Sequence, residues 1–392
     1  MTRLKSRAAV LVGAGVLASA ASYLFQMQVM AAEAPALFVR FNHWLFLAGV
    51  IGLPGVLTQS VSGFWHLSAQ QRSRLLVASA SVGSVVSIVL ALIGPAGLSE
   101  WSLLLLHFVA FIPTCALMGQ ALALGYLPAI LWGILCPVVA RIGFYQVLSH
   151  NDLTACRAIV FTTALTVVGL SVLLARSPRS GDNVVDRPGA RTLTRGAVLA
   201  LVSSLIPYAD FELIRLTQAA ASVELFGRVS LLSRMVLLGG TVLTQAVLPE
   251  QLQHFHRKTV ETRWWMRHAP ILIFSAAVAA SFALYLLVPL LRLPGFDSWT
   301  SDARKILLIA GINCAALVLV LAEVQAACTV GKLQRLWPGL AIFALSWIGI
   351  CLTRPPSVVH ALTLSGVAYA ATATCLYVFQ ALARDRLAPG AA

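Results

Sequence analysis

Charge is what this chain has least of. Of its 392 residues only 11% are Asp, Glu, Lys or Arg, against about 25% in ordinary soluble domains. Acidic residues are the scarcer half, 14 against 28 basic ones, for a net charge of +14. That excess does not make a nucleic-acid surface. The basic residues lie a few at a time between apolar stretches, without aromatic interleaving, as in the cytoplasmic loops of membrane proteins. Catalytic signatures are missing too: no H-E-x-x-H, no G-x-S-x-G and no P-loop occurs, and no cofactor is expected. The seven cysteines, Cys115, Cys136, Cys156, Cys314, Cys328, Cys351 and Cys375, form no C-x-x-C and are odd in number. They make neither a zinc site nor a disulfide framework and read as small packing residues. What fills the chain instead is apolar. Hydrophobic residues make up 59% of it and the mean hydropathy is +0.86. A soluble enzyme of this size cannot bury so much apolar surface.

About 20 apolar residues cross a bilayer as a helix. Twelve such stretches are present, at 8–29, 38–61, 75–93, 101–122, 126–148, 155–175, 195–218, 223–247, 269–291, 304–327, 335–353 and 360–381. The first, after Arg3, Lys5 and Arg7, mimics a signal peptide. A second apolar segment follows at once, so a retained helix is the simpler reading. A Pro-, Gly-, Ser- and Arg-rich segment, 179–194, reads as a cytoplasmic linker between an N-terminal six-helix lobe, 1–178, and a C-terminal one, 195–392. Alternating the sides puts 18 Lys and Arg on the side of the N-terminus and 6 on the other, with four inside spans. The positive-inside rule then places both termini in the cytoplasm, in a bacterial inner membrane.

The two halves echo each other. Val56-Leu-Thr-Gln-Ser-Val61 closes the second span and Val242-Leu-Thr-Gln-Ala-Val247 the eighth, 186 residues apart. Because six is even, the repeats run parallel, about an axis along the membrane normal. The expected fold class is therefore an all-α polytopic membrane protein of about twelve transmembrane helices, in two six-helix lobes related by a parallel pseudo-two-fold repeat.

Ionisable residues inside spans are costly, about 2.5–3.5 kcal/mol for Arg at mid-helix, and normally face a cavity or a partner. They are Arg141 in span 5, Asp210, Glu212 and Arg215 in span 7, Arg228 and Arg234 in span 8, and Glu323 in span 10. Ser230, Arg234, Thr241 and Gln245 fall within roughly 60° of one another on a helix, a polar stripe down span 8. Ser204, Tyr208 and Arg215 form a second stripe on span 7. Arg215 and Arg228 either line the cavity or snorkel to headgroups, and Arg215 is also spaced to pair with Glu212. Gln59 and Gln245, equivalent in the repeat, are candidates for sugar hydroxyls or for bonds across helices. Asp210 either pairs with an arginine of span 8 or couples an ion. Glu323 is a gate or an interfacial residue. His43 and His107 are proton relays or packing residues. Pro54, Pro113, Pro137 and Pro207 interrupt their spans as hinges or as packing bends.

Tyr208-Ala-Asp-Phe-Glu-Leu-Ile-Arg215, Glu224-Leu-Phe-Gly-Arg228, Ser233-Arg234-Met235 and Val247-Leu-Pro249 resemble the seventh and eighth helices of Wzx-type polysaccharide flippases. These belong to the multidrug/oligosaccharidyl-lipid/polysaccharide (MOP) exporter superfamily. Ser22-Tyr-Leu-Phe-Gln26 and the run from Gly49 to Gln59 are similar to its first two helices. The loop after span 1, Met30-Ala-Ala-Glu-Ala-Pro-Ala36, departs from the family, and a basic residue often found on that helix is missing. The resemblance implies a two-lobed flippase that carries a polyprenyl-diphosphate-linked saccharide for surface polysaccharide biosynthesis. Asp210, Arg215, Phe226 and Arg234 take the family's Asp, Lys, Tyr and Arg positions. The partners it implies are the lipid-linked oligosaccharide, a coupling ion (H+ or Na+), a polysaccharide polymerase and glycosyltransferases.

Two other functions compete. A multidrug or cation antiporter of the same superfamily usually carries an acidic residue inside its N-terminal lobe, whereas Glu33, Glu100 and Asp152 all fall outside spans 1–6. A membrane-embedded polymerase or glycosyltransferase needs a larger extramembrane loop or an acid/base constellation. The residues bet on for substrate are thus Arg234, Arg141, Arg215, Arg228, Gln59, Gln245, Ser230 and Thr241, with Asp210 and Glu323 for the ion and no metal site. Reporter fusions test the topology. Between Ser177 and Pro188 they should report cytoplasm, and between Phe296 and Ser301 the opposite side; the same side for both would break the twelve-span reading.

Overall fold

The computed structural model describes residues 2–62, 69–93, 98–147, 153–177, 208–257, 260–290, 299–330 and 336–385. Every described element is helical. The chain divides into two compact units, Met1–Ser204 and Leu205–Ala392. The expected linker at 179–194 and the first part of span 7 lie outside the described residues.

In the first unit the helices are α1 (Thr2–Ala32), α2 (Pro35–Ile51), α3 (Leu53–Ser62), α4 (Ala69–Ile93), α5 (Glu100–Leu124), α6 (Leu127–Val147) and α7 (Thr154–Ala175). The second unit has α8 (Ala209–Thr217), α9 (Ala220–Arg257), α10 (Val260–Leu287) with a 3-10 turn at Val288–Leu290, α11 (Ser301–Val330), α12 (Trp337–Thr353) and α13 (Val358–Asp385). Eleven of the twelve expected spans coincide with a helix or, for the second, with a broken pair, and of the seventh only the end, α8, is described. Among the described residues seven helices are long and apolar enough to cross a membrane, and Pro35–Ile51 and Trp337–Thr353 are shorter apolar helices.

The second span is not continuous, and the reason is local. Pro54 has no N–H to give to the carbonyl of Val50. The Gly52 N–H makes the last regular bond, to the Ala48 carbonyl at 2.8 Å, the Gly55 N–H bonds to Gly52 at 2.9 Å, and the helix restarts as α3. By contrast α5 and α6 run through Pro113 and Pro137. The ends are built from ordinary caps. The Ser99 hydroxyl accepts from the Ser102 N–H at the start of α5, and Gly125 closes it in the left-handed conformation with φ 59°.

The two units repeat a packing scheme. In each, the second span lies along the fourth, the fourth along the sixth and the fifth along the sixth. They differ at the third span. In the first unit α4 packs on α7, whereas in the second α10 packs on α9 and α11 and barely touches α13. The buried columns are α7 and α11. In α7 the hydroxyls of Thr162, Thr163, Thr166 and Ser171 each donate to a carbonyl one turn back. No side-chain partner is needed, so the helix can be buried whole.

The α3–α5 contact depends on small residues. A Cβ added at Gly52 would sit 2.9 Å from the Phe111 ring, and one at Gly55 equally close. Replacing Gly52 by Val should lower stability by about 1–3 kcal/mol through overpacking. The Gly143→Val control, where nothing lies within 4 Å, should cost much less. Thermal melts of the two purified variants test this; equal melting temperatures would mean that α3 and α5 do not depend on this close approach.

Candidate functional site

The strongest concentration of buried polar groups lies in the second unit, around Asp210. This residue lies in the first turn of α8, where Tyr208 and Phe211 share the face that Arg234 covers. Asp210 points toward α11 and α13. Its Oδ1 accepts from the Tyr369 hydroxyl at 2.5 Å and its Oδ2 from Asn313 Nδ2 at 3.3 Å, and the Ser365 hydroxyl also bonds to it. Asn313 Nδ2 in addition donates to the Leu362 carbonyl and to Ser365 Oγ, both at 3.0 Å. Asn313, Ser365 and Tyr369 are all at most 1% exposed. A carboxylate far from water is stable only with such charge-assisted bonds. The expected alternative, a direct ion pair of Asp210 with an arginine of span 8, is not among the described ion pairs; hydrogen bonds hold it instead.

Arg234 approaches the same turn from α9. It is 9% exposed, and its guanidinium lies over two rings, 5.0 Å from the Tyr208 centroid and 5.7 Å from that of Phe211. Attraction to Asp210 and Glu212 adds to this. The negative faces of the rings offset part of the desolvation of the cation. Ser230, one turn before it, is buried, but its hydroxyl donates to the Gly227 carbonyl at 3.1 Å. The side chains of Thr241 and Gln245 lie outside the described residues.

Other expected residues scatter. Arg215 is paired with Glu212 at 2.7 Å, so its guanidinium is committed to a carboxylate on its own helix. Arg228 is half-buried on α9, one and a half turns from Arg234, and Gln59 is half-buried on α3. Glu323 is fully buried in α11. In the first unit Arg141 lies 5.4 Å over the ring of Phe25. His107 stacks on Phe111 at 5.3 Å and meets Trp44 edge-on, and His43 stacks on Phe46. The acids outside the spans are engaged as well. Glu33 accepts from the Tyr145 hydroxyl at 3.0 Å and Glu100 pairs with Arg40 at 3.1 Å.

The sequence reading missed Asn313, Ser365 and Tyr369. Their one signal was polarity inside spans 10 and 12. Among the described residues no group of three His, Cys, Asp or Glu is placed to hold a metal. The cluster makes a testable statement about stability. Tyr369→Phe removes one donor to a buried carboxylate and should cost about 1.5–3 kcal/mol. Asn313→Leu strips three acceptors at once and should cost more. Melts of the purified variants that rank the other way would mean that Asn313 is not the hub of the cluster.

No family model matches the chain, and no curated protein does. Solved structures do. A mutant of the Vibrio cholerae MATE transporter VcmN aligns with TM-score 0.64 at 14% identity, over 98% of each chain. An outward-facing multidrug resistance MATE family transporter of the MOP superfamily aligns with TM-score 0.61 at 11% identity, over 97% of this chain and 95% of that one. A MOP superfamily transporter from Pyrococcus furiosus, described by a reversed polarity of its binding pocket that suggests a different function, aligns with TM-score 0.56 at 12% identity, over 97% and 95%. At these identities the likeness is one of fold, and it runs nearly end to end: the chain has the fold of the MOP superfamily transporters.

Proposed function

We propose that this protein is a transporter that moves a polyprenyl-diphosphate-linked saccharide across the inner membrane. The observation that carries the reading is Arg234: a nearly buried guanidinium, backed by Tyr208 and Phe211 and lying beside Asp210. A diphosphate cannot enter a low-dielectric path unless its charge is matched there. A guanidinium offers two parallel donors to phosphate oxygens and stays protonated. Arg234 also occupies the arginine position of the flippases that spans 7 and 8 resemble. Arg228 and Gln59 are secondary contacts in this reading, and Asp210 and Glu323 are its ion-coupling groups. The polymerase and glycosyltransferases of a polysaccharide pathway are its partners.

The second reading is a multidrug or cation antiporter. In its favour, the aligned structures include MATE multidrug transporters, and a buried carboxylate is present at Asp210. Against it, the acidic residues among the described part of the first unit stand at helix ends: Glu33 just past the end of α1, and Glu100 as the first residue of α5.

The test compares transport with membrane abundance. Arg234→Ala should reduce saccharide export at least tenfold with the amount of inserted protein unchanged. Arg234→Lys should keep partial activity, since the charge survives and the fork does not. Wild-type export by the Ala variant removes Arg234 from the mechanism. Loss of export and protein together assigns it to the structure of the unit.

A further inference from the structure

The start of α7 breaks a rule that α5 and α11 keep. Negative groups suit the positive end of a helix dipole and cations do not. Accordingly α5 opens on Ser99 and Glu100. At the start of α11 the Thr300 hydroxyl accepts from the Ala303 N–H at 3.2 Å, and Asp302 follows it. The N-cap of α7 is Leu153, whose side chain makes no cap bond, and the first turn holds no acid. The N–H groups from Thr154 to Cys156 precede the first bond of the helix, from the Arg157 N–H to the Leu153 carbonyl at 2.9 Å.

What this turn carries instead is a cation. Arg157 is 7% exposed, and among the described residues Arg234 is the one other arginine buried so deeply. Arg234 has two rings beneath it and two carboxylates nearby. Among the described residues the Arg157 side chain has no ion pair, hydrogen bond or ring contact. The acids around this turn are engaged elsewhere. Glu33 and Glu100 lie within electrostatic reach of Cys156, but Glu33 accepts from Tyr145 and Glu100 pairs with Arg40. Side chains lean toward the N-terminus of their helix, so the guanidinium reaches back over the same turn. A buried cation without a counter-charge is costly anywhere, and the helix dipole adds to the cost here. One anion seated at this turn answers both.

The chemistry selects the anion. Its oxygens have to meet a planar fork of donors and backbone N–H groups together, and a phosphate group suits both elements. Arg157 is the fourth residue of a 22-residue apolar helix, about 6 Å from its end and close to the level of lipid headgroups. We propose that the first turn of α7, with Arg157, binds a phosphate group, either of a lipid headgroup or of a free phosphate. The site does not rest on the transport reading above.

The test uses the delipidated full chain in dodecyl maltoside, a detergent without phosphate, with inorganic phosphate as the first probe. By calorimetry Arg157→Gln should weaken one phosphate site about tenfold or more. Thermal melts should cross over. Without phosphate Arg157→Gln should melt no lower than wild type, because it loses an unmatched cation; with phosphate wild type should melt higher. A phosphate-free melt well below that of wild type would mean that Arg157 holds groups of the protein itself, and overturns the proposal. Leu153→Asp is the second variant and puts a carboxylate at the anion's place. It should melt higher than wild type without phosphate and lose the response to phosphate. An undiminished response in both variants overturns the site. Arg234 is intact in each variant, so the outcome is independent of its role in transport. Short-chain phosphatidylglycerol then identifies the source. Stabilisation of wild type but not of Arg157→Gln, at concentrations well below those of inorganic phosphate, assigns the site to headgroups. A response to inorganic phosphate alone assigns it to the free anion, and a response to neither overturns it.

Discussion

An ionised group inside an apolar helical bundle has to be matched where it sits, because no water is there to do it. Most of the polar architecture follows from that constraint at one turn of α8. Asp210 draws Asn313 and Tyr369 from two other helices, and so pins α8 to α11 and α13. The rings on either side of it, Tyr208 and Phe211, take up Arg234 from α9. Three other helices of the second unit, α9, α11 and α13, therefore meet at this turn.

Among the described residues, the first unit solves the same problem without a buried acid. Its carboxylates stay near helix ends, where Glu100 meets Arg40 and Glu33 meets Tyr145. Its interior is closed by helix-to-helix contact instead. Glycines at 52 and 55 admit the Phe111 ring, and the hydroxyls of α7 fold back on their own helix. The unit with the acid instead joins polar residues across helices, Asn313 and Tyr369 to Asp210. The same six-helix scheme thus carries two different polar interiors.

The helices were legible because a span needs a long apolar run and nothing else, and the run is a local property of the sequence. The break at Gly52 was less so. Pro54 and Gly55 marked the region, but which carbonyl the Gly55 N–H would reach depends on the folded backbone. The pairing of Glu212 with Arg215 could be read from a spacing of three. The rest of the site could not. Asn313 and Tyr369 lie 103 and 159 residues beyond Asp210, and no periodicity links positions so far apart. Phe25 and Phe211 read as ordinary apolar residues until a guanidinium is seen above each.

Those sequence separations bear on how the chain is made. Residues emerge from the ribosome in order, at about 5–20 per second, so α8 reaches the membrane with Asp210, Glu212 and Arg215 before the helices that hold Asp210 have been synthesised. Glu212 and Arg215 neutralise each other on the spot, but Asp210 waits for α11 and then α13. A helix end carrying three ionisable residues is costly to insert by itself. Its stable entry depends on a later helix arriving to receive it, which makes the last helix, with Tyr369, as much a condition of assembly as of the finished fold.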